Sequence, residues 1–539
     1  MLASCCGARA RASYGDLESG RGMDELSVKL RDGQPGTLRC NTKVVELLGR
    51  GKSIVSTPIN KLLNVALVTE SDDQHGTPTT TDLSLRISFL VKATPHHKLD
   101  TRELIIPRED REEAERWIDL AMGRAYAGTP RARKVRLLVN PIGGKGNAMS
   151  LVNSLALPVY RAAGCEVDVI ETRYGKHAEE IARDMKLDCD VLAAASGDGI
   201  IHELINGLAI RSDAQQALKI PVVPIPTGSA NGMSINLLGL EEGFDIPLAV
   251  LNTIKGQIMP LDICSVTHGD ARRFSFMSVA MGLMCDIDLG TEHLRWLGDT
   301  RFVYGFLKGI ISNSSMRCKI HIKVATADKG LMIQRLNESR QAQAHTRRDQ
   351  LDDPDQIRKA ANGHEEDSDP SIPPVRMLEP DETWLILESG NQYAKVEKKD
   401  GPSPRWSSNG SWDEGEGMLY VYTGLQPYVA RDLMQFPVCI PGEGLMDVVV
   451  QSLVPRSVLA QSISGGAEGK QFYLDSQHYY KASAYVVELE GKNSLVSVDG
   501  EALRGTRLSV ELLPKMARTL SLYGTWAQST FGKAEPTGS

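Results

Sequence analysis

The sequence predicts an α/β lobe on a parallel sheet, then a β-rich antiparallel, sandwich-like lobe, with a small β-rich N-terminal module ahead of both. Three observations carry this. Between residues 135 and 225, short apolar runs alternate with helical patterns, and glycine-bearing turns follow three of the runs. From about residue 258 the text becomes strand-rich, through 261–266, 273–279 and 320–324 and again at 384–388, 418–422, 484–489 and 496–498. Between about 38 and 90, short strand patterns alternate with turn clusters, and one amphipathic helix follows.

The chain has 539 residues, 24% charged and 41% hydrophobic, with 61 basic and 68 acidic side chains for a net charge of −7. At about 150 residues per domain, this length suggests three to four units. The composition excludes a collagen-like chain, a wholly disordered chain and a disulfide miniprotein. Mild acidity leaves no electrostatic footprint for nucleic acid. No run reaches the roughly 18–20 apolar residues that span a bilayer. Nine scattered cysteines, odd in number and without metal-ligand spacing, predict a reduced, cytoplasmic setting. Residues 1–14 lack the apolar core of a signal peptide. Cys5 and Cys6, with Arg9 and Arg11 nearby, read either as reversible S-acylation holding the protein peripherally on a membrane or as an unmodified tail.

Residues 1–37, rich in Gly, Arg and Ser, are expected as a disordered tail. The module of 38–127 places strands at 44–48, 52–56, 62–70 and 83–91. Its helix, at 109–126, has Ala114, Trp117, Ile118, Leu120 and Ala121 as apolar members. Strands followed by a single helix are similar to a pleckstrin-homology module. A basic linker, 129–134, leads to the α/β lobe of 133–256. There strands at 135–139, 167–171, 191–195 and 222–225 alternate with helices at 148–163, 177–185 and 201–210, and Pro158 marks a break in the first helix. The β-rich lobe covers 257–525. Within it, 339–383 holds no Phe, Trp or Tyr and carries two acidic runs, so an insertion of about 328–412 is expected to be disordered.

Ligands collect at the carboxyl ends of strands in open α/β sheets. The first turn there is Asn140-Pro141-Ile142-Gly143-Gly144-Lys145-Gly146. Its glycines let backbone N–H groups approach phosphate, and the helix after it offers a positive end. It is neither a Walker A loop nor a dinucleotide fingerprint, and an ordinary tight strand–helix turn has the same look. The second turn is Ser196-Gly197-Asp198-Gly199. A carboxylate between glycines can face a ligand, to accept a hydroxyl proton or to hold Mg²⁺; it is also a favoured helix cap. His202 fits an orienting or packed histidine better than a catalytic one. In the third turn, Pro226 to Asn231, Ser229 and Asn231 serve either as caps or as nucleotide contacts.

The three turns in this order resemble the blocks of the diacylglycerol-kinase-like catalytic domain, most closely those of the sphingosine (sphingoid long-chain base) kinases. The blocks are LLVNPIGGKGNA, SGDGIIHELINGL and IPTGSANGMS. Later stretches resemble the same family: LDICSV at 261–266, DIDLGTEHLRWLGDTRF at 286–302, VSVDGE at 496–501, and the text from Phe436-Pro437 to Met446-Asp447. The resemblance spans about 135–522 apart from the acidic insertion. It implies ATP-dependent, Mg²⁺-assisted phosphorylation of the primary hydroxyl of a sphingoid base.

By that resemblance Asp198 is the catalytic base, and Ser196, Gly197, Asp198, Gly199 and Asp288 meet the substrate, Asp288 at its amine. Asn140, Pro141, Ile142, Gly143, Gly144, Thr172, Arg173, Tyr174, Gly175, Lys176, Glu203, Gly228, Ser229 and Ala230 match nucleotide-contacting positions. Arg295 and Arg301 match phosphate-binding arginines, although six positions apart they also read as solvated surface charge. Asp499, Gly500 and Glu501 match a late block closing on the nucleotide, with Glu501 at the Mg²⁺; read alone, Asp499-Gly500 is a hairpin turn. Asp288 alone reads as a strand-end aspartate. The third block departs from the family's usual G-S-G-N-A at Ala230. The resemblance implies a lipid partner and peripheral membrane contact. Rival readings are a ceramide or diacylglycerol kinase, whose substrates lack an amine for Asp288, a more remote NAD kinase, and a membrane-targeted lipid-binding scaffold that has lost catalysis.

Overall fold

The computed structural model describes residues 23–68, 82–291, 316–352, 372–388, 418–453, 465–490, 494–529 and 531–532. Two compact units divide the chain: one holds the strands and helix up to Gly128, the other holds Ala93–His97 and most of the chain from Thr129 onward.

The first unit is a seven-stranded antiparallel sheet in the order β4-β3-β2-β1-β7-β6-β5. Its strands are β1 (Asp24–Lys29), β2 (Pro35–Cys40), β3 (Val44–Gly49), β4 (Lys52–Pro58), β5 (Leu62–Val68), β6 (Asp82–Lys92) and β7 (His97–Pro107). The helix Arg111–Ala125 follows and buries Ala114, Trp117, Ala121, Met122 and Ala125. Trp117 Nε1 donates to the Asp24 carbonyl, and Tyr126 Oη to that of Leu63, which satisfies the polar ends of two buried aromatics. Strand β1 lies inside the stretch expected as a tail. Its alternating Leu26 and Val28 are buried, and six residues are too short a pattern to stand out beside the Gly- and Arg-rich text before it.

The second unit begins with a four-stranded parallel sheet, ordered β11-β10-β8-β9. Its strands are β8 (Lys134–Val139), β9 (Glu166–Glu171), β10 (Val191–Ser196) and β11 (Val222–Pro226). Every residue of β10 and β11 is buried, as expected for parallel strands covered on both faces. The expected helix at 148–163 is interrupted. Ala148–Leu151 and Leu157–Ala162 are α-helical, and Val152–Ala156 between them is a π turn. Pro158 has no N–H to give the ladder, which slips by one residue just before it.

An antiparallel sheet of eleven strands follows, in the order β13-β12-β22-β19-β18-β17-β14-β20-β21, with β15 on β19 and β16 on β15. The strands are β12 (Gln257–His268), β13 (Ala271–Ser275), β14 (Ser278–Gly282), β15 (Cys318–Thr326), β16 (Leu385–Glu388), β17 (Met418–Gly424), β18 (Met446–Ser452), β19 (Gln477–Leu489), β20 (Leu495–Val498), β21 (Glu501–Arg504) and β22 (Arg507–Ser521). The sheet curls around a core that includes Val266, Val421, Val448, Tyr485 and Val510. A second core, with Leu283, Tyr422, Phe436, Phe472 and Tyr479, holds the helix Leu283–Gly290.

Two stretches expected within the disordered insertion are ordered. Lys329–Asp352 is a helix that buries Met332 and Leu336, and Leu385–Glu388 is strand β16. An aromatic-poor sequence can still form a helix when Leu, Met, Gln, Arg and Ala dominate it and a few apolar residues dock. Among the described residues no helix is long and apolar enough to cross a membrane.

Candidate active site

The strand order β11-β10-β8-β9 sets four turns side by side along the carboxyl edge of the parallel sheet. In that order they are Thr227–Ala230, Gly197–Gly199, Asn140–Gly146 and Thr172–Lys176. Their close packing depends on missing side chains. A Cβ on Gly228 would sit 2.2 Å from the Gly197 nitrogen, and one on Gly144, whose φ is +61°, 2.5 Å from the Thr227 carbonyl oxygen. Real Cβ atoms do not approach that closely, so the first, second and third turns form one surface only because these positions are glycine.

Asp198 opens the helix Asp198–Ala209 and is 4% exposed. Its carboxylate caps a different helix: Gly232 N donates to Oδ2 at 2.7 Å and Met233 N to Oδ1 at 3.0 Å. These amides open the helix Gly232–Leu238, which follows the third turn. Burial is the main influence on this group. The two amides oppose it and Asp499 adds to it, leaving the pKa raised to about 6. A carboxylate has about four lone-pair sites, so each oxygen keeps room to accept another hydrogen bond.

Glu203, one turn further on, has both oxygens engaged. Lys176 N and Ala178 N donate to them, each at 3.0 Å. It therefore caps the helix His177–Asp184 and fixes the turn Thr172–Lys176, whose Lys176 has a φ of +69°. Burial raises its pKa against the pull of the two amides, and Glu501 contributes in the same direction as burial. Glu501 thus lies within electrostatic reach of Glu203, at the start of β21.

Asp499 sits in the β20–β21 turn at φ +51° and is buried. It accepts from Ser275 Oγ at 2.7 Å, from Phe276, Met277 and Ser278 amides at 3.0, 3.1 and 2.8 Å, and pairs with His202 Nδ1 at 2.9 Å. Expected as a nucleotide contact, Asp499 is committed here to the chain itself. It ties the 275–278 turn to the helix that carries Asp198, while Gly500 is part-exposed and Glu501 exposed. Asn206 adds a second tie, exchanging hydrogen bonds with the Phe274 amide and carbonyl.

Asp288, on the helix Leu283–Gly290, accepts from Ser497 Oγ at 2.5 Å; that hydroxyl in turn accepts from Gly500 N at 3.2 Å. Tyr422 is within electrostatic reach of both Asp288 and Asp499, and burial raises its own pKa above the usual phenol range. The structure therefore gathers Asp198, Glu203, Asp288, Asp499 and Glu501 at the junction of parallel sheet and curled sheet. Arg295 and Arg301 lie outside the described residues, as do Cys5 and Cys6.

Several participants carry no local signal. Ser497, Ser275 and the 276–278 amides act through contacts more than 200 positions away. The pattern V-S-V-D-G-E is the only text that marks Ser497 out. Asn236 ties the helix Gly232–Leu238 to the stretch after β17, donating to Gln426 and the Tyr428 carbonyl and accepting from the Tyr428 amide.

Beside the third turn, Thr227 Oγ1 and Asn231 Oδ1 are buried with no hydrogen-bond partner among the described residues. Ile142, in the first turn, is 83% exposed. Unpartnered polar atoms and an exposed apolar side chain on one glycine-built edge fit a ligand with phosphates and a flat ring. Among the described residues no three His, Cys, Asp or Glu side chains are grouped to hold a metal ion.

Residues 134–266 match the diacylglycerol kinase catalytic domain family. Within that class, the chain is similar to sphingoid-base kinases. It is 29% identical to sphingoid long chain base kinase 5 of Saccharomyces cerevisiae over 83% of this chain and 66% of that protein. It is 27% identical to sphingoid long chain base kinase 4 of Schizosaccharomyces pombe over 76% of this chain and 80% of that protein. Human sphingosine kinase 2 is 35% identical over 41% of this chain and 37% of its own length. The chain thus spans just under two thirds of the first of these relatives and a smaller share of the human one. A crystal structure described as a diacylglycerol kinase from Bacillus anthracis overlaps 72% of this chain and 97% of its own, with a TM-score of 0.46 and 16% identity.

Proposed function

We propose that this chain is an ATP-dependent kinase that phosphorylates the primary hydroxyl of a sphingoid base, such as sphingosine, dihydrosphingosine or phytosphingosine, to the 1-phosphate. One observation carries this reading: the Asp499 turn lies within electrostatic reach of the buried Asp198, whose pKa is raised to about 6, and Tyr422 is within electrostatic reach of both that turn and Asp288, a second carboxylate on the apolar lobe. Two carboxylates in different surroundings suit two tasks. Asp198 accepts the hydroxyl proton as the bond from that oxygen to the γ-phosphorus forms and the bond to the β-phosphate oxygen breaks. Asp288, held by Ser497, pairs with the substrate's ammonium and so sets which hydroxyl meets Asp198.

The remaining residues position the reactants. The glycine-built edge presents backbone N–H groups to phosphate oxygens, Thr227 Oγ1 can donate to another, and Asn231 Oδ1 can accept from an N–H or O–H of the nucleoside. Mg²⁺ is commonly bound through one or two carboxylates plus substrate phosphates, and Glu501, within electrostatic reach of Glu203, is the carboxylate we propose to contribute. The substrate is a membrane amphiphile, so the protein works as a peripheral visitor to a lipid surface. A pleckstrin-homology-like N-terminal module and acylated Cys5 and Cys6 are the means we propose for that contact.

The test is a transfer assay with labelled Mg-ATP and a panel of sphingosine, dihydrosphingosine, phytosphingosine, ceramide and diacylglycerol. Label on the sphingoid bases alone is the expected result. Label on ceramide or diacylglycerol with none on any sphingoid base would overturn the assignment.

A further inference from the structure

Three consecutive residues of strand β13 reach three different elements. Ser275 Oγ donates to Asp499 in the β20–β21 turn at 2.7 Å. Phe274 donates its amide to the Asn206 side chain, on the helix Asp198–Ala209, and accepts from it at its carbonyl, each at 2.9 Å. Arg273 Nη1 donates to Glu179 Oε1 at 2.8 Å, in the first turn of the helix His177–Asp184. Strand β13 ends the order of the curled sheet, so one side of its backbone has no strand beside it. The Asn206 amide takes the place of that strand, and Arg273 carries the contact one helix further. Gly207, next in sequence to Asn206, makes room for this. A Cβ there would sit 2.3 Å from the Glu179 carbonyl oxygen and 2.7 Å from the Ala182 Cβ. Glycine thus lets the two helices approach closely enough for Glu179 to meet Arg273.

The helix His177–Asp184 has partners at both ends besides Arg273. Glu203 accepts from the Lys176 and Ala178 amides at its start, and Arg211 Nη1 donates to the Ala182, Arg183 and Met185 carbonyls at its end. Removing Arg273 therefore leaves the helix capped and takes away its ion pair to the curled sheet. The turn Thr172–Lys176 runs directly into this helix, with Lys176 at its N-cap. We propose that Arg273 is a positioning residue for the nucleotide: through Glu179 it holds the helix His177–Asp184, and with it the turn Thr172–Lys176, against the curled sheet. The proposal rests on the kinase reading for the role of that turn. Exposed ion pairs add little to stability, and this one is part-buried, with side-chain exposures of 35% for Arg273 and 16% for Glu179. Its effect falls on the placement of one turn rather than on the fold.

The intact protein is titrated calorimetrically with Mg-ATP in the absence of lipid, and steady-state rates are measured with ATP and dihydrosphingosine varied in turn. In Arg273→Gln and in Glu179→Gln, Kd and KM for ATP are expected to rise about three- to fivefold. The kcat and the KM for the lipid should stay near wild type. The double variant should bind ATP no more weakly than either single one, because both remove the same pair. Arg273→Lys keeps the charge and should recover most of the affinity. Should Arg273→Gln fail to keep the wild-type melting temperature, Glu179→Gln decides. Weakened ATP binding in this pattern supports the proposal even where no sphingoid base is labelled, an outcome that overturns the substrate assignment alone. Wild-type ATP affinity in the folded variants, additive losses in the double variant, or a parallel rise of KM for ATP and lipid would overturn the proposal. Absence of ATP binding by the wild type would overturn it together with the kinase reading.

Discussion

His202 Nδ1 lies 2.9 Å from Asp499 Oδ2, although the two residues are 297 positions apart. An ionised carboxylate only accepts, so the proton sits on Nδ1. Through this contact the helix that opens with Asp198 is fastened to the turn that holds the 276–278 amides. His202 is thus a positioning residue, acting on Asp198 through the helix they share. His202→Ala removes one hydrogen bond to a charged group, a loss of about 1.5–3 kcal/mol in urea unfolding. Asp499→Asn removes the charge and turns one of two acceptor oxygens, which between them face three amides, into a donor, and should cost more, about 3–5 kcal/mol. The double variant should lose less than the sum of the two. Strict additivity would show that the pair does not act as a unit.

Asp198 makes activity and stability respond oppositely to acid. Burial raises its folded pKa from 3.8 to about 6, with Asp499 adding and the two amides opposing. As a base it works only when ionised, so kcat/KM should rise with pH through about 6 and level off above. For folding the sign is reversed. The folded state holds the proton more tightly than the unfolded chain, so this group's contribution to stability is full below 3.8 and is lost as pH rises through about 6. Asp198→Asn should lower turnover at least about 100-fold while the fold persists. A pH–rate profile flat between 5 and 7, or near-normal turnover in the asparagine variant, would remove Asp198 as the base.

The glycine-built edge separates two reasons for glycine. At Gly228 a Cβ would meet the Gly197 nitrogen at 2.2 Å, whereas at Gly146 it would meet nothing within 4 Å and only the φ of +72° is at issue. Gly228→Ala must push the second and third turns apart, at about 1–3 kcal/mol and with a large loss of transfer activity. Gly146→Ala should cost about 1 kcal/mol in backbone strain and leave the turns in place. Thermal melts and steady-state rates on the two variants compare them directly. Equal activity loss in both would contradict the packing argument.

Legibility in the sequence follows the range of the interaction. Strands β10 and β11 are continuous buried runs, β8 and β9 interleave Arg136, Asp168 and other charged residues with apolar ones, and a turn signal follows each; period and punctuation are local properties. The roles of Asp198 and Asp288 come from resemblance, because a carboxylate between two glycines also reads as a cap. Asp198 does cap, but it caps the distant helix at Gly232, which no local pattern announces. Asp499 reads as a hairpin turn, and it is one; its five bonds to His202 and the 275–278 turn depend on how two sheets meet. The helix Lys329–Asp352 is hard to read because a stretch so poor in aromatics looks unable to bury a core, whereas Met332 and Leu336 suffice to dock it.

Lys481 is a buried cation of the curled sheet. Its Nζ donates to the Val438 carbonyl at 2.9 Å, lies 3.0 Å from Asp447 Oδ1 and also contacts Glu443. Burial alone would lower its pKa, but Asp447 and Glu443 outweigh burial and hold it above the usual range. Lys481→Met would leave two carboxylates without their cation, at about 3–5 kcal/mol. Urea unfolding at neutral pH should show a lower midpoint at unchanged slope. A midpoint shift worth less than about 1 kcal/mol would mean the cluster is solvated.

Ser497 holds Asp288 by a 2.5 Å hydrogen bond and takes one from Gly500 N, so one hydroxyl orients the carboxylate assigned to the substrate amine. Removing it should loosen the carboxylate without altering its charge. Ser497→Ala is therefore expected to raise KM for a sphingoid base several-fold with kcat little changed, since uniform binding is what it removes. Asp288→Asn removes the charge as well, and a hydrogen bond to a charged group is worth about 1.5–3 kcal/mol, or roughly 10- to 150-fold in kcat/KM. An N-acetylated sphingoid base has no ammonium, so any residual turnover of it should be the same in wild type and Asp288→Asn. Parallel losses on the free-amine and acetylated substrates would show that Asp288 supports the fold of the site rather than reading the amine.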